Sequence, residues 1–197
     1  LWVLPVGAVV RAPMATFGPS VLVACVDGNV FRVDQATGNV SWAFPAPESV
    51  TSSPLVADDS VYVACTNGVV YGLDGNTGRA AWGAELGGPV DGGGVVWGGC
   101  LVVADRSGVC SAIDRRTGEV TWQVETGGSN RSGVVAGGST IYVDNGAGEL
   151  VAISPERREV VGRVDIGTGS WQAPTLAGGV VLVRAGTLLR ALNARRD

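Results

Sequence analysis

The sequence predicts an all-β protein, a five-bladed β-propeller of four-stranded antiparallel blades. Three observations carry this prediction: the chain repeats every 40 residues, each repeat contains four short β-type segments, and the two chain ends align with complementary parts of one repeat. The clearest repeated segment is an apolar run that starts at positions 21, 61, 101, 141 and 181. Repetition at this period is typical of arrays of small sheets.

A second landmark keeps the same period as the apolar run. Three loops share the pattern Asp-x-x-Thr-Gly-x-x-x-Trp, and a further Trp stands one period before the first of them. The Asp residues are Asp34, Asp74 and Asp114, and the Trp residues are Trp2, Trp42, Trp82 and Trp122. Two landmarks that keep one period over the whole chain make a single repeated unit the simplest interpretation.

The second complete repeat shows how four strands fit between turn signals. Asn67-Gly68 supplies the positive φ that a tight hairpin requires, and the Asp74 loop separates the last two strands. No segment has a helical apolar period with matching caps. The predicted strands of this repeat are Val50–Ala57, Val61–Cys65, Val69–Leu73 and Arg79–Glu85.

The two chain ends predict how the last blade is completed. Residues 1–20 align on 41–60, the second half of a repeat, and residues 181–197 align on 21–38. We therefore expect a strand at Leu1–Val6 to join the C-terminal blade, which closes the ring and removes an open sheet edge. The predicted single domain, 1–197, has blades at about 8–46, 47–86, 87–126 and 127–166, and at 167–197 together with 1–6.

Composition excludes several function classes. The chain is 46% hydrophobic and 16% charged, which argues against disorder. Its net charge of −4 argues against a nucleic-acid module, and no apolar run approaches the length of a membrane helix. The chain has no His and no Lys, which removes the commonest general base and Schiff-base chemistry. We therefore predict a protein that is not an enzyme.

The repeat motif has a structural interpretation. Each Asp carboxylate can accept backbone N–H groups of its own turn, and the Gly can take the left-handed conformation. Four residues after the Gly, the Trp side chain can bury about 150–250 Å² against an adjoining sheet. The predicted role of the four Trp and three Asp residues is therefore structural docking.

This motif resembles the PQQ-like (pyrroloquinoline-quinone-like) propeller repeat with its tryptophan-docking motif. The resemblance weakens in the fourth repeat, where Ser154, Arg158 and Gly162 replace Asp, Gly and Trp, and in the fifth, where Asn193 replaces Asp. Quinone-dependent alcohol dehydrogenases of this family carry a vicinal Cys-Cys pair, which this chain lacks. Other members of the family are scaffolds or sensors, so the resemblance implies a module without cofactor or catalytic residues.

The four cysteines predict neither a zinc site nor a disulfide. Cys25 and Cys65 occupy the same position in neighbouring repeats, while Cys100 and Cys110 begin two strands of one repeat. Their spacing is unlike that of a zinc site, and no His can complete one. Strand-borne single cysteines are usually small buried side chains. We therefore predict no metal and free thiols, which favour a reducing compartment such as the cytoplasm.

One set of aligned loop positions stands out as a candidate ligand site. Propellers usually bind ligands near the central channel, and charged or large residues are departures where the scaffold needs only small ones. The two Arg residues could clamp an anion and the Trp could stack on it; the alternative is a solvated channel mouth. The set consists of Arg11, Thr51, Asp91, Arg131 and Trp171.

These observations predict a non-catalytic PQQ-like propeller that serves as a protein-interaction or scaffold module, within a larger polypeptide. Its expected partners are another protein or covalently linked domains, with no nucleic acid and no membrane span. A small-ligand propeller, for a sugar or an anionic metabolite, is the alternative. A quinoprotein dehydrogenase fits the sequence least well.

Overall fold

The structure is a computed structural model that describes residues 1–167 and 172–193. Across these residues the chain forms β-strands joined by turns and loops, and no helix. The chain divides into two compact units, Leu1–Asp91 and Gly92–Asp197. Each unit is built from four-stranded or three-stranded antiparallel sheets whose strands follow one another in chain order.

The first unit contains two four-stranded sheets. The strands of sheet one are β1 Ala15–Phe17, β2 Ser20–Ala24, β3 Asn29–Asp34 and β4 Val40–Pro45. The strands of sheet two are β5 Leu55–Ala57, β6 Ser60–Ala64, β7 Val69–Asp74 and β8 Ala80–Glu85.

The second unit contains three sheets. Sheet three has β9 Val95–Trp97, β10 Cys100–Ala104, β11 Val109–Asp114 and β12 Val120–Glu125. Sheet four has β13 Val134–Gly137, β14 Thr140–Asp144, β15 Glu149–Ser154 and β16 Glu159–Asp165. Sheet five consists of β17 Thr175–Ala177, β18 Val180–Ala185 and β19 Leu188–Asn193.

Apolar side chains fill the space between consecutive sheets of each unit. In the first unit, Leu22 and Val30 of sheet one belong to the same buried cluster as Val61, Val63 and Leu73 of sheet two. Since side chains alternate between the two faces of a strand, each central strand contributes to the packing on both sides of its sheet. The second unit repeats this arrangement between sheets three and four and between sheets four and five.

The first strand of sheet two is shorter than predicted. The prediction of Val50–Ala57 is wrong at its start, because the strand begins at Leu55. Pro54 immediately precedes this strand and has no N–H to donate to a ladder. Val50 is fully buried although it lies in the preceding loop. A buried apolar residue therefore marks the connection between two sheets at this position, and not a strand.

The strand predicted over Leu1–Val6 is not formed in the structure. The described part of sheet five contains three strands, so the predicted completion of that sheet is not seen. A strand requires a hydrogen-bonded neighbour, whereas Leu4 and Val6 pack through their side chains on Val23 and Val33 of sheet one. The N-terminal segment covers that face of sheet one without adding a strand to it.

Candidate functional site

The Asp-x-x-Thr-Gly loops are closed by the Asp carboxylate. Oδ1 of Asp74 accepts hydrogen bonds from the Thr77 N–H at 2.7 Å, the Thr77 hydroxyl at 2.8 Å and the Asn76 N–H at 3.1 Å. The Gly78 N–H donates to the Asp74 carbonyl, and Gly78 has a φ of 71°. The same bonds recur in the loops of Asp34 and Asp114.

These hydrogen bonds also set the ionisation of the three carboxyls. The Thr77 hydroxyl is the largest cause that lowers the pKa of Asp74, and the Thr37 hydroxyl does the same for Asp34. The backbone N–H of Thr117 is the main cause that lowers the pKa of Asp114. Because donors stabilise the charged form, each loop holds its carboxylate ionised over a wider pH range.

In the first unit, two Trp side chains lie on the motif loop of a sheet. The indole of Trp42, on β4, donates from Nε1 to the Gly75 carbonyl at 2.9 Å. A Cβ on Gly78 would lie 2.6 Å from the same ring, so only Gly permits this approach. Trp2 makes the equivalent bond to the Gln35 carbonyl at 2.9 Å and lies against Gly38.

Trp82 and Trp122 have different surroundings within their own units. Trp82 is half-buried, and its ring lies 5.8 Å from the ring of Tyr62. A Cβ on Gly72, the cross-strand neighbour of Trp82, would lie 2.2 Å from the indole. Trp122 is buried in the cluster shared by sheets three and four. All three Trp residues on fourth strands lie beside a register shift, or β-bulge, between the third and fourth strands of their sheets.

The fourth repeat keeps the turn but lacks the Trp. Ser154 Oγ accepts the Arg157 N–H at 3.2 Å, in place of the Asp carboxylate. Arg158 occupies the Gly position with a φ of 59°, a conformation that side chains rarely adopt. Gly162, in the Trp position, borders a cavity of about 100 Å³ between sheets four and five.

The candidate loop residues lie on the connections that lead into the first strands of the sheets. Arg11 and Arg131 are exposed, whereas Thr51 and Asp91 are half-buried. The Thr51 hydroxyl oxygen is buried without a hydrogen-bond partner among the described residues. Trp171 lies outside the described residues, so the stacking platform predicted there stays a prediction.

The second unit contains a buried polar group that the sequence analysis missed. Asp105, Thr126, Asn130 and Asn145 are fully or almost fully buried. Thr126 Oγ1 donates to Asn130 Oδ1 at 3.0 Å, and Asn145 Nδ2 donates to Glu149 Oε2 at 2.8 Å. Asp105 Oδ2 and Asn130 Nδ2 are buried without a partner among the described residues.

Alignment of the 40-residue repeats could have predicted this buried polar group. Asp105 and Asn145 align with Cys25 and Cys65, while Asn130 aligns with Val50 and Val90, one and two periods apart. The equivalent residues in the first unit are fully buried and apolar. Polar residues at positions that are apolar and buried elsewhere are the departures that a repeat makes visible.

The four cysteines are free thiols in the structure. Burial is the main cause that raises the pKa of Cys65 to about 11 and that of Cys110 to about 12. Burial also raises the pKa of Cys25, with Asp27 as the second cause. Such thiols stay protonated near neutral pH, so they lack the thiolate character of a nucleophile.

Residues 1–167 and 172–193 contain neither a membrane-spanning helix nor a metal-binding cluster. No helix in this part of the chain has the length and apolar character needed to cross a membrane. No group of three or more Cys, Asp or Glu side chains lies together in a way that could hold a metal ion in the same part of the chain.

The comparisons with known proteins agree with the repeat and the sheet architecture. A family model described as "Outer membrane protein assembly factor BamB" matches residues 1–105 and 105–196. The chain therefore belongs to this family of PQQ-like repeat β-propellers. No curated protein matches the sequence.

Three solved structures show the same fold at low sequence identity. BamB from Moraxella catarrhalis is 17% identical with a TM-score of 0.84, and the match covers 96% of this chain and 60% of that chain. The computationally designed Ika8 protein is 12% identical with a TM-score of 0.82, covering 91% and 57%. Quinohemoprotein alcohol dehydrogenase from Comamonas testosteroni is 16% identical with a TM-score of 0.73, covering 93% and 39%. The chain spans less than two thirds of each of these proteins.

Proposed function

We propose that this chain is a non-catalytic protein-interaction or scaffold module within a larger polypeptide. The observation that carries this proposal is a largely exposed face on the last described sheet, whose counterparts on the other sheets are buried apart from the half-buried Arg32. Membership of a family described as an outer membrane protein assembly factor supports a role in binding proteins.

The exposed face is defined by Leu182, Arg184, Leu189 and Ala191 of sheet five, and we call it the sheet-five face. Arg184 lies directly opposite Leu189, and Leu182 opposite Ala191, so the four side chains share one face. Leu189 is 73% exposed. The residues at its register position in the other four sheets are at most 3% exposed: Val30, Val70, Cys110 and Leu150.

Arg184 adds a positive charge to the sheet-five face. The residues at its register position are buried in the other sheets and are Ala24, Ala64, Ala104 and Asp144. Arg is enriched at protein interfaces, where its guanidinium pairs with carboxylates and packs on aromatic rings. An apolar surface with a central Arg is therefore suited to a protein partner that offers apolar and acidic side chains.

The proposed architecture is a single propeller domain of five blades over residues 1–197. In it, residues 1–6, which form no strand in the structure, take the place of the fourth strand of the fifth blade, and the next blade covers the sheet-five face in place of a partner. Two features support this arrangement: sheet five has three described strands where the others have four, and Trp2 contacts the motif loop of sheet one as Trp42 contacts that of sheet two. Trp2 therefore behaves as the docking Trp of the blade that precedes sheet one.

The proposal is tested by affinity capture from native extract with matched variants. Leu189→Glu places a charge on the sheet-five face, whereas Val120→Glu places one on an exposed residue of β12 and serves as the control. We expect a protein captured by the wild type and by Val120→Glu to be lost with Leu189→Glu. Recovery of no protein partner, or equal recovery with both variants, would contradict the proposal.

A small anionic ligand at the loop residues is the second candidate. Within the first unit it is supported by the exposed Arg11 and by the buried Thr51 hydroxyl, which has no partner among the described residues; within the second unit it is supported by the exposed Arg131. Calorimetry against a panel of sugars and anionic metabolites, with Arg131→Ala as control, separates this function from protein binding.

Dehydrogenase activity is not proposed, because the residues present do not fit the quinone site of the related enzymes. The chain has no Cys-Cys dipeptide, and its described residues offer no cluster of carboxylates for calcium.

A further inference from the structure

The fourth repeat keeps the backbone that carries a docking Trp but has no side chain there. Gly162 lies opposite Ala152, as Trp42 lies opposite Arg32 and Trp122 opposite Ala112. The register shift that follows these pairs is also present, between Ala152 and Ile153. The strand geometry around Gly162 therefore matches that of the other three fourth strands, and the indole side chain is absent.

The cavity beside Gly162 has the walls that surround an indole elsewhere in the molecule. Tyr142 and Leu150 of sheet four and Val181 and Leu192 of sheet five line it. In the first unit, the residues at the same register positions belong to one buried cluster with Trp42. They are Leu22, Val30, Val61 and Leu73. Sheets four and five therefore form the apolar walls of a Trp pocket that no Trp of the described chain fills.

The charged side chain among the lining residues points away from the cavity. Arg163 lies directly opposite Val151, which packs in the cluster shared by sheets three and four, and its Nη1 donates to the Thr126 carbonyl at 2.6 Å and to Glu149 Oε2 at 2.9 Å. The guanidinium therefore lies on the other face of sheet four, and the apolar walls remain accessible. A dry apolar cavity of about 150 Å³ binds small aromatic molecules in another protein. This cavity is smaller, at about 100 Å³, and is open at one side, so part of a bound ring would stay in solvent.

We propose that this cavity binds a flat aromatic group of indole type. The chemistry is shared by the Trp side chain of a partner protein and by a small free aromatic molecule. The site is independent of the sheet-five face: its sheet-five residues, Val181 and Leu192, pack in the cluster shared with sheet four.

The test is a titration of the folded chain with indole, followed by ligand-observed and protein-observed NMR. We expect saturable binding with a dissociation constant of about 1 mM or lower. Gly162→Trp supplies the missing side chain, so it should weaken indole binding at least tenfold and raise the melting temperature. Glu159→Trp adds an indole at an exposed position of the same strand and should leave indole binding unchanged.

A second variant and a second probe keep the test decisive. If Gly162→Trp does not fold, Ala152→Leu narrows the same cavity from the opposite strand and should also weaken binding. N-acetyltryptophanamide distinguishes the two sources: binding as tight as that of indole identifies a peptide-borne side chain, whereas loss of binding identifies a free aromatic molecule. Absence of saturable indole binding by the wild type, or unchanged binding after the cavity is filled, would overturn the proposal.

Discussion

At the scale of single residues, Arg158 shows how a repeat tolerates a costly substitution. It has a φ of 59° where the equivalent Gly38, Gly78 and Gly118 have φ values of 77°, 71° and 79°. The left-handed conformation costs a non-Gly residue about 1–2 kcal/mol. The turn still forms, because the Arg158 N–H donates to the Ser154 carbonyl at 2.8 Å as its Gly equivalents do to their Asp carbonyls.

Arg158→Gly should therefore stabilise the protein. After subtraction of the greater unfolded-state entropy of Gly, we expect a gain of about 0.5–1 kcal/mol in the free energy of unfolding. Denaturant unfolding measures this change. Arg158→Ala is the control, since it removes the charge but keeps a Cβ in the left-handed region, and it should leave stability nearly unchanged. Equal gains for both substitutions would show that charge and not backbone strain is the cause.

Some properties of single residues could not be predicted from the sequence. The departures at Arg158 and Gly162 are visible in the aligned repeats, but a strained φ and a cavity exist only once the neighbouring strands are packed. The unpaired atoms of Asp105 and Asn130 are a similar case. Their burial depends on residues far away in the sequence, which a local pattern does not contain.

At the scale of elements, the turns and the docking Trp residues make separate contributions to stability. The strands and turns were largely predictable, because alternating apolar residues and Asp, Asn and Gly turn signals act locally. The strand predicted at Leu1–Val6 differs, since its formation depends on a partner strand at the other end of the chain. Local signals predict an extended segment at residues 1–6, but they do not specify the strand with which that segment pairs.

Truncation of the Trp residues should cost stability in the order of their burial. Trp42 and Trp122 are each 8% exposed, Trp82 is half-buried and Trp2 is 38% exposed. We expect Trp42→Ala and Trp122→Ala to cost about 3–5 kcal/mol, and Trp82→Ala and Trp2→Ala progressively less. Equilibrium unfolding of the four variants gives the comparison. A near-zero loss for Trp42→Ala would contradict the docking role.

The Asp loops should make stability depend on acid pH. The pKa values of Asp34, Asp74 and Asp114 are lower in the folded protein than the usual value of about 3.9 in unfolded chains. Their contribution is therefore fully present above about pH 4 and is lost as the pH falls through the lowered folded values. Melting temperatures of the wild type should fall between about pH 4 and pH 2.

A triple variant isolates this acid dependence. Substitution of the three Asp residues by Asn keeps a hydrogen-bond acceptor in each loop but removes the titrating group. The variant should have a lower melting temperature at pH 7 and a smaller decrease on acidification than the wild type. If both proteins lose the same number of degrees between pH 7 and pH 2, other carboxyls control the acid response.

At the scale of the whole molecule, the repeat explains both the family assignment and the proposed role. One 40-residue unit supplies sheets whose two faces bury apolar residues, and the sheet-five face remains exposed at positions that are buried in the other sheets. Burial of that face by another blade would stabilise the module, and burial by a partner protein would make the face a binding surface. In a closed five-bladed ring the next blade covers that face, whereas in the protein-interaction module a partner covers it, so the two proposals are alternatives that the experiments separate.

Disulfide trapping between the chain ends tests the proposed ring most directly. Position 3 corresponds to Ala43 and position 190 to Phe31, which are directly opposed in sheet one. The double variant Val3→Cys, Arg190→Cys in a Cys100→Ser background should form a disulfide within one chain under mild oxidation, as cross-strand neighbours are close enough to bridge. The control pair Val3→Cys, Leu189→Cys places one thiol on the opposite face and should not do so. A cross-link between two chains, or none in the first pair, would contradict the five-bladed ring.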